Sequence, residues 1–144
     1  MLKGSSGKLL TLLMLIAFGG AACSRAEKAN TADDEEALSR TEFTERIENF
    51  FEYDPLKPGK TSQFLIHLTD LSDGSPVEQA EVTLTIRSQG SGSEVGQTKA
   101  RIGKVTGIYV ADVVIPNVGD YAVEFHVKNA KLDERMPLTD FKVE

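Results

Sequence analysis

Four side chains beyond residue 22 could hold a soft metal or act on a substrate: Cys23, His67, His126 and Met136. They lie far apart in the sequence. Soft metals are held by clusters of Cys, Met or His, and zinc by about four convergent ligands. One histidine with neighbouring acids is the most that these residues make, so they stand as minor metal candidates beside a reading of two solvated imidazoles. Nucleotide chemistry is no better supplied. Gly59-Lys60-Thr61 resembles the end of a phosphate-binding loop, but Asp54 stands where its first glycine belongs and a strand pattern follows where a helix is required. Gly90, Gly92 and Gly96 miss the dinucleotide fingerprint by one position. The acid run Asp33-Asp34-Glu35-Glu36 lacks the following oxygen ligands of a calcium loop, and no serine nucleophile elbow is present. These residues point away from an enzyme and imply no cofactor.

Cys23, the single cysteine, carries a different chemistry. It follows a start charged by Lys3 and Lys8, an apolar run from Leu9 to Phe18, and the small residues Gly19-Gly20-Ala21-Ala22. That is the layout of a secretory signal, over residues 1–22. The run is too short for a membrane-spanning helix, which needs about 20 apolar residues. With cysteine at the first mature position, the segment resembles a bacterial lipoprotein signal, although Gly20 departs from the larger aliphatic residue common there. The resemblance implies lipidation of the Cys23 thiol and acylation of the new amino terminus, and stable anchoring does take more than one chain. Ordinary secretion with a free thiol is the alternative. The implied place is the cell envelope, facing the periplasm or the outside of a single-membrane cell. Ser24 leans toward an outer membrane by the same resemblance.

The mature chain, Cys23 to Glu144, has room for one domain with one core. Its charge is uneven. Arg25 to Asp54 holds ten acids and four bases, while Pro55 to Glu144 holds twelve and ten. An acidic balance argues against nucleic acid, which needs a basic face. Residues 23–40 are polar and poor in apolar side chains, so they cannot bury enough surface to offset ordering entropy. They are read as a tether with a reach on the order of 25 Å.

Residues 41–144 must then position everything else. Thr41 to Tyr53 fits two patterns. Phe43, Ile47, Phe50 and Phe51 suit a helical stripe, whereas Phe43, Ile47, Phe51 and Tyr53 share the parity of a strand, which the aromatic and β-branched content favours. Beyond Pro55 the alternation is plain. Phe64, Ile66 and Leu68 form one inward set; Val82, Leu84 and Ile86 a second; Tyr109, Ala111, Val113 and Ile115 a third; Tyr121, Val123, Phe125 and Val127 a fourth. Met136 and Leu138 differ in parity from Phe141 and Val143, which a bulge near Thr139-Asp140 reconciles. Glycine, proline and asparagine turns separate the runs. The spacing predicts an all-β, Ig-like sandwich of about seven strands, centred near residues 48, 65, 84, 98, 111, 124 and 139. Tyr121 is either a corner tyrosine whose hydroxyl pins a connection or simply a core aromatic. His67 and His126 fall on outward positions of strands in opposite sheets, where they cannot share an ion.

The stretch from Glu52 to Lys60, Ser62 to Leu71, Gly74-Ser75-Pro76-Val77, Gly107-Ile108-Tyr109, Pro116 and Gly119-Asp120-Tyr121 resembles the N-terminal Ig-like module of periplasmic adaptor subunits from heavy-metal-type RND efflux pumps. It is also similar to small YtkA-like and FixH-like β-domains. The likeness covers most of Phe43 to Glu144 and rests on a scaffold pattern. It implies an envelope accessory module, with metal handling or membership of a longer adaptor as further implications. The bridging role of full adaptors needs lipoyl, hairpin and barrel domains that have no counterpart here.

Two functions fit these residues. In the first, the sandwich is a non-catalytic module that docks onto an efflux or other envelope assembly. Outward Leu65, Val110 and Val114 are its candidate contacts, against the plainer reading of scattered surface residues. In the second, it is a periplasmic carrier of a metal or small ligand.

Overall fold

A computed structural model describes residues 35–144 of the chain. The signal segment, Cys23 and the tether up to residue 34 lie outside the described residues. Nine strands and no helix make up the rest: β1 (Leu38–Phe43), β2 (Ile47–Tyr53), β3 (Thr61–Asp70), β4 (Glu81–Ser88), β5 (Glu94–Lys99), β6 (Arg101–Ile102), β7 (Ile108–Val114), β8 (Gly119–Lys128) and β9 (Asp133–Val143). They form two antiparallel sheets, ordered β1-β2-β3-β7-β6 and β5-β4-β8-β9, packed as a sandwich.

The period of two explains the layers, because alternate residues of each long strand point to one side. All four predicted inward sets are buried, together with Ile47, Phe51, Met136, Phe141 and Val143. Phe51 lies at the centre of the core, with ring centroids 4.8 Å from Phe125, 6.0 Å from Phe64 and 6.4 Å from Phe141. The predicted bulge is present. Tyr121 pairs with Phe141 and Val123 with Leu138, so Thr139 and Asp140 together oppose Ala122 alone. That extra residue returns Phe141 and Val143 to the core.

Three details depart from the sequence reading. Residues 41–53 are not one strand. Thr44 interrupts them, its Oγ1 accepting from the Arg46 and Ile47 amides at 3.1 Å each, and the chain folds into the β1–β2 hairpin. Phe43, expected inward with Ile47, therefore sits on β1 and is 60% exposed. Strand β1 also takes in Leu38, Ser39 and Arg40, which the sequence reading gave to the tether. The third is the strand near residue 98. Strand β5 stays with β4, then Ala100 donates its amide to Val82 O at 2.8 Å and the chain steps across, so that Arg101 and Ile102 join β7 in the other sheet.

Polar side chains fix the connections. The Tyr121 hydroxyl donates to Asn117 O at 2.9 Å, so this residue is both core aromatic and corner pin. Tyr109 does similar work, donating to Val77 O at 2.8 Å and accepting from the Ala80 amide at 3.0 Å. Arg40 clasps the two sheets, donating to Glu42 in its own strand and to Asp140 of β9 at 2.8 Å, with its guanidinium 5.2 Å from the Phe141 ring centre. Gly107 marks a close approach: at φ 81° it lies against Pro76, whose Cβ is 2.5 Å from where a side chain would begin.

Candidate interaction surface

The pleat that buries Phe64, Ile66 and Leu68 sends Leu65 and His67 to the opposite side of the five-stranded sheet, and the same holds for Ile108 and Val110 on β7. Register sets them side by side. One row across the outer face runs Phe50, His67, Ile108 on β2, β3 and β7; the next runs Glu52, Leu65, Val110, Arg101 on β2, β3, β7 and β6. Below them Gln63 faces Asp112, and Thr61 faces Val114. Leu65, Val110, Phe50, Ile108 and His67 are half-buried by one another, and Val114 is 50% exposed. Of the three predicted contacts, Leu65 and Val110 are direct cross-strand partners, while Val114 stands four residues along β7.

His67 belongs to this apolar group. Its ring meets Phe50 edge-on, centroids 5.3 Å apart at 62°, and its Nε2 is buried with no hydrogen-bond partner among the described residues. Charge gathers at the margins. Asp112 accepts from Gln63 Nε2 at 3.0 Å and from Arg101 Nη1 at 2.7 Å, and these two hydrogen bonds hold its carboxyl below the usual range.

The outer face of the four-stranded sheet is built differently. Lys99 pairs with Glu81 at 2.5 Å, Arg135 with Glu124 at 2.7 Å, and His126 Nε2 with Asp133 at 2.7 Å, while Gln97 donates to Thr85 at 3.2 Å. The hydrogen bond from His126 is the main reason the Asp133 carboxyl lies below its ordinary value, and the one from Lys99 does the same for Glu81.

The metal candidates end in three separate places. His67 is on the outer face of one sheet, His126 on the outer face of the other, and Met136 inside the core, its sulfur 3.8 Å from Asn49 Nδ2. Among the described residues no three His, Cys, Asp or Glu side chains gather closely enough to hold an ion. A polar cleft of about 400 Å³ opens where β3, the 75–79 segment and the β8–β9 turn meet, lined by Asp70, Gln79, Asn129 and Lys131.

Sequence reasoning missed Phe50 and Ile108. Ile108 shares the parity of Val110 and was open to detection. Phe50 was hidden by the competing helical stripe, and only the register of β2 turns it outward.

No family model matches the chain, and no curated protein does. Among solved structures it is similar to 'as isolated' FetP of uropathogenic E. coli strain F11, recombinantly expressed in the periplasm of E. coli BL21(DE3), with 11% identity over 76% of this chain and 97% of that one, at a TM-score of 0.49. A copper-bound variant of the same protein matches with 11% identity over 74% and 95%, also at 0.49. At that identity and score the likeness assigns nothing further to this chain.

Proposed function

We propose that the chain is a non-catalytic, lipid-anchored module of the cell envelope, and that it associates with protein through the outer face of the five-stranded sheet. The carrying observation is the adjacency of Phe50, Leu65, His67, Ile108 and Val110 on a solvent-facing surface. Apolar residues that scatter singly need no explanation, but contiguous ones mark contact surfaces. Anchoring rests on the signal pattern and Cys23; among the described residues no helix is long and apolar enough to cross a membrane. The likeness of the sequence to the adaptor module supports an efflux or other envelope assembly as the setting. The carrier reading has less behind it, because His67, His126 and Met136 do not converge.

A photo-reactive side chain at Val110, in the full chain in intact cells, should capture protein, whereas the same group at Thr83 on the charged face should not. Equal capture at both positions would remove the reading. Separately, Cys23→Ser should release the protein from the membrane pellet, and its retention there would contradict the anchor.

A further inference from the structure

The apolar face carries a charge order that matches itself. Across its middle row, successive strands present Glu52, Leu65, Val110 and Arg101: acid, apolar, apolar, base. Glu52 is in none of the ion pairs of the described residues, and Arg101 already meets Asp112 through Nη1 at 2.7 Å, so a second carboxylate would meet its remaining guanidinium nitrogens. Consider a twofold axis parallel to the strands, running between β3 and β7. It places Leu65 of one copy on Val110 of the other, and Glu52 on Arg101, twice over. In the neighbouring rows it sets Gln63 against Asp112, and the projecting Phe50 against Gly103, which continues β6 opposite Ile108 and has no side chain. A twofold axis running across the strands instead puts Glu52 on Glu52. The charges therefore select the first arrangement, which is also the aligned packing that twisted sheets adopt face to face, within about 30°.

We propose that this face pairs with the same face of a second copy of the chain, about a twofold axis along the strands. This rests on the contact reading above and names its occupant. The axis has a second consequence: β1 of both copies begins at the same end of the pair, so two tethers leaving it reach one membrane. Strands β3 and β7 overlap along about seven residues each, and β2 and β6, which lie over one another, along about two, so at about 4.8 Å between strands the overlap is near 300 Å² per copy, about 600 Å² in total. Stable interfaces bury about 1,200–2,000 Å², so the pair depends on both copies being held on one bilayer, where confinement raises their effective concentration.

The test uses the full chain in its membrane, with a photo-reactive residue at Val110 and two differently tagged copies expressed together. The expected product joins both tags, and its crosslink maps to the Leu65 segment. Glu52→Arg should lower the yield by about tenfold, because like charges then meet across the interface. Pairing the Glu52→Arg chain with an Arg101→Glu chain should restore it between the two tags, and unchanged circular dichroism establishes that each variant folds. Capture of a different protein without a self-product would overturn the pairing and leave the contact reading standing. No product at all would overturn both. A self-product that maps elsewhere, or that ignores the Glu52→Arg charge reversal, would overturn the proposed axis.

Discussion

The two outer faces of the sandwich solve the same problem in opposite ways. On the four-stranded sheet, Thr83 and Thr85 supply the β-branched shape that suits a pleated surface, and Glu81–Lys99, Glu124–Arg135 and His126–Asp133 pairs cover it with charge. The five-stranded sheet uses Leu65, Val110, Ile108 and Phe50 at equivalent outward positions. Strand formation alone does not require them, since threonine keeps the strands extended on the other side. The difference teaches that the apolar side chains of this face are not needed to keep its strands extended, which is the ground of the contact surface proposed above.

Changes to the shared core should affect both faces alike and set the upper scale. Phe125→Ala removes a fully buried ring packed on Phe51 and should cost about 3–5 kcal/mol in denaturant unfolding. A loss below about 1 kcal/mol would mean that the two layers are less tightly packed than the ring distances indicate. Tyr121→Phe keeps the ring and removes only the corner hydrogen bond to Asn117, so a smaller loss of about 1 kcal/mol is expected from the same measurement.

On the faces themselves the comparison should split. Arg135→Ala on the charged face breaks an exposed pair and should lower stability by less than about 1 kcal/mol, an effect that high salt removes. Val110→Thr on the apolar face should leave melting unchanged and reduce crosslinking at that surface. If the Arg135→Ala change altered association and Val110→Thr did not, the roles of the faces would be reversed.

Acid should weaken the ion pairs of the charged face. The Asp133 and Glu81 carboxyls are held below their ordinary values in the folded state by His126 and Lys99. Groups shifted down contribute stability above the ordinary carboxylate range and lose it as pH falls through the lowered values. Melting curves taken downward from neutral pH should show this slope, and Asp133→Asn should flatten it.

Much of the fold was legible because alternation is a local signal. Phe64, Ile66 and Leu68 could have only one buried face, and the parity break between Leu138 and Phe141 required a bulge where one is found. What escaped depended on partners distant in sequence. Nothing near residue 98 shows that Ala100 will pass between sheets, because that step is settled by the Val82 carbonyl. Thr44 was a readable turn residue, but the aromatic run around it dominated the periodicity. The candidate surface was half visible: parity turned Leu65 and Val110 outward, while their adjacency, and the flanking by Glu52 and Arg101, exist only once β2, β3, β7 and β6 are aligned.

The Arg40 clasp bears on how this protein meets mechanical load. A pull applied from the N-terminal side enters at Leu38, at the open end of an edge strand, where backbone ladders peel one bond at a time. Two residues in, the guanidinium is riveted to Asp140 and laid over Phe141 of the opposite layer. Tension that starts to unzip the first strand is therefore shared with the last one before it reaches the hairpin, and Arg40→Ala should lower the force at which that edge gives way.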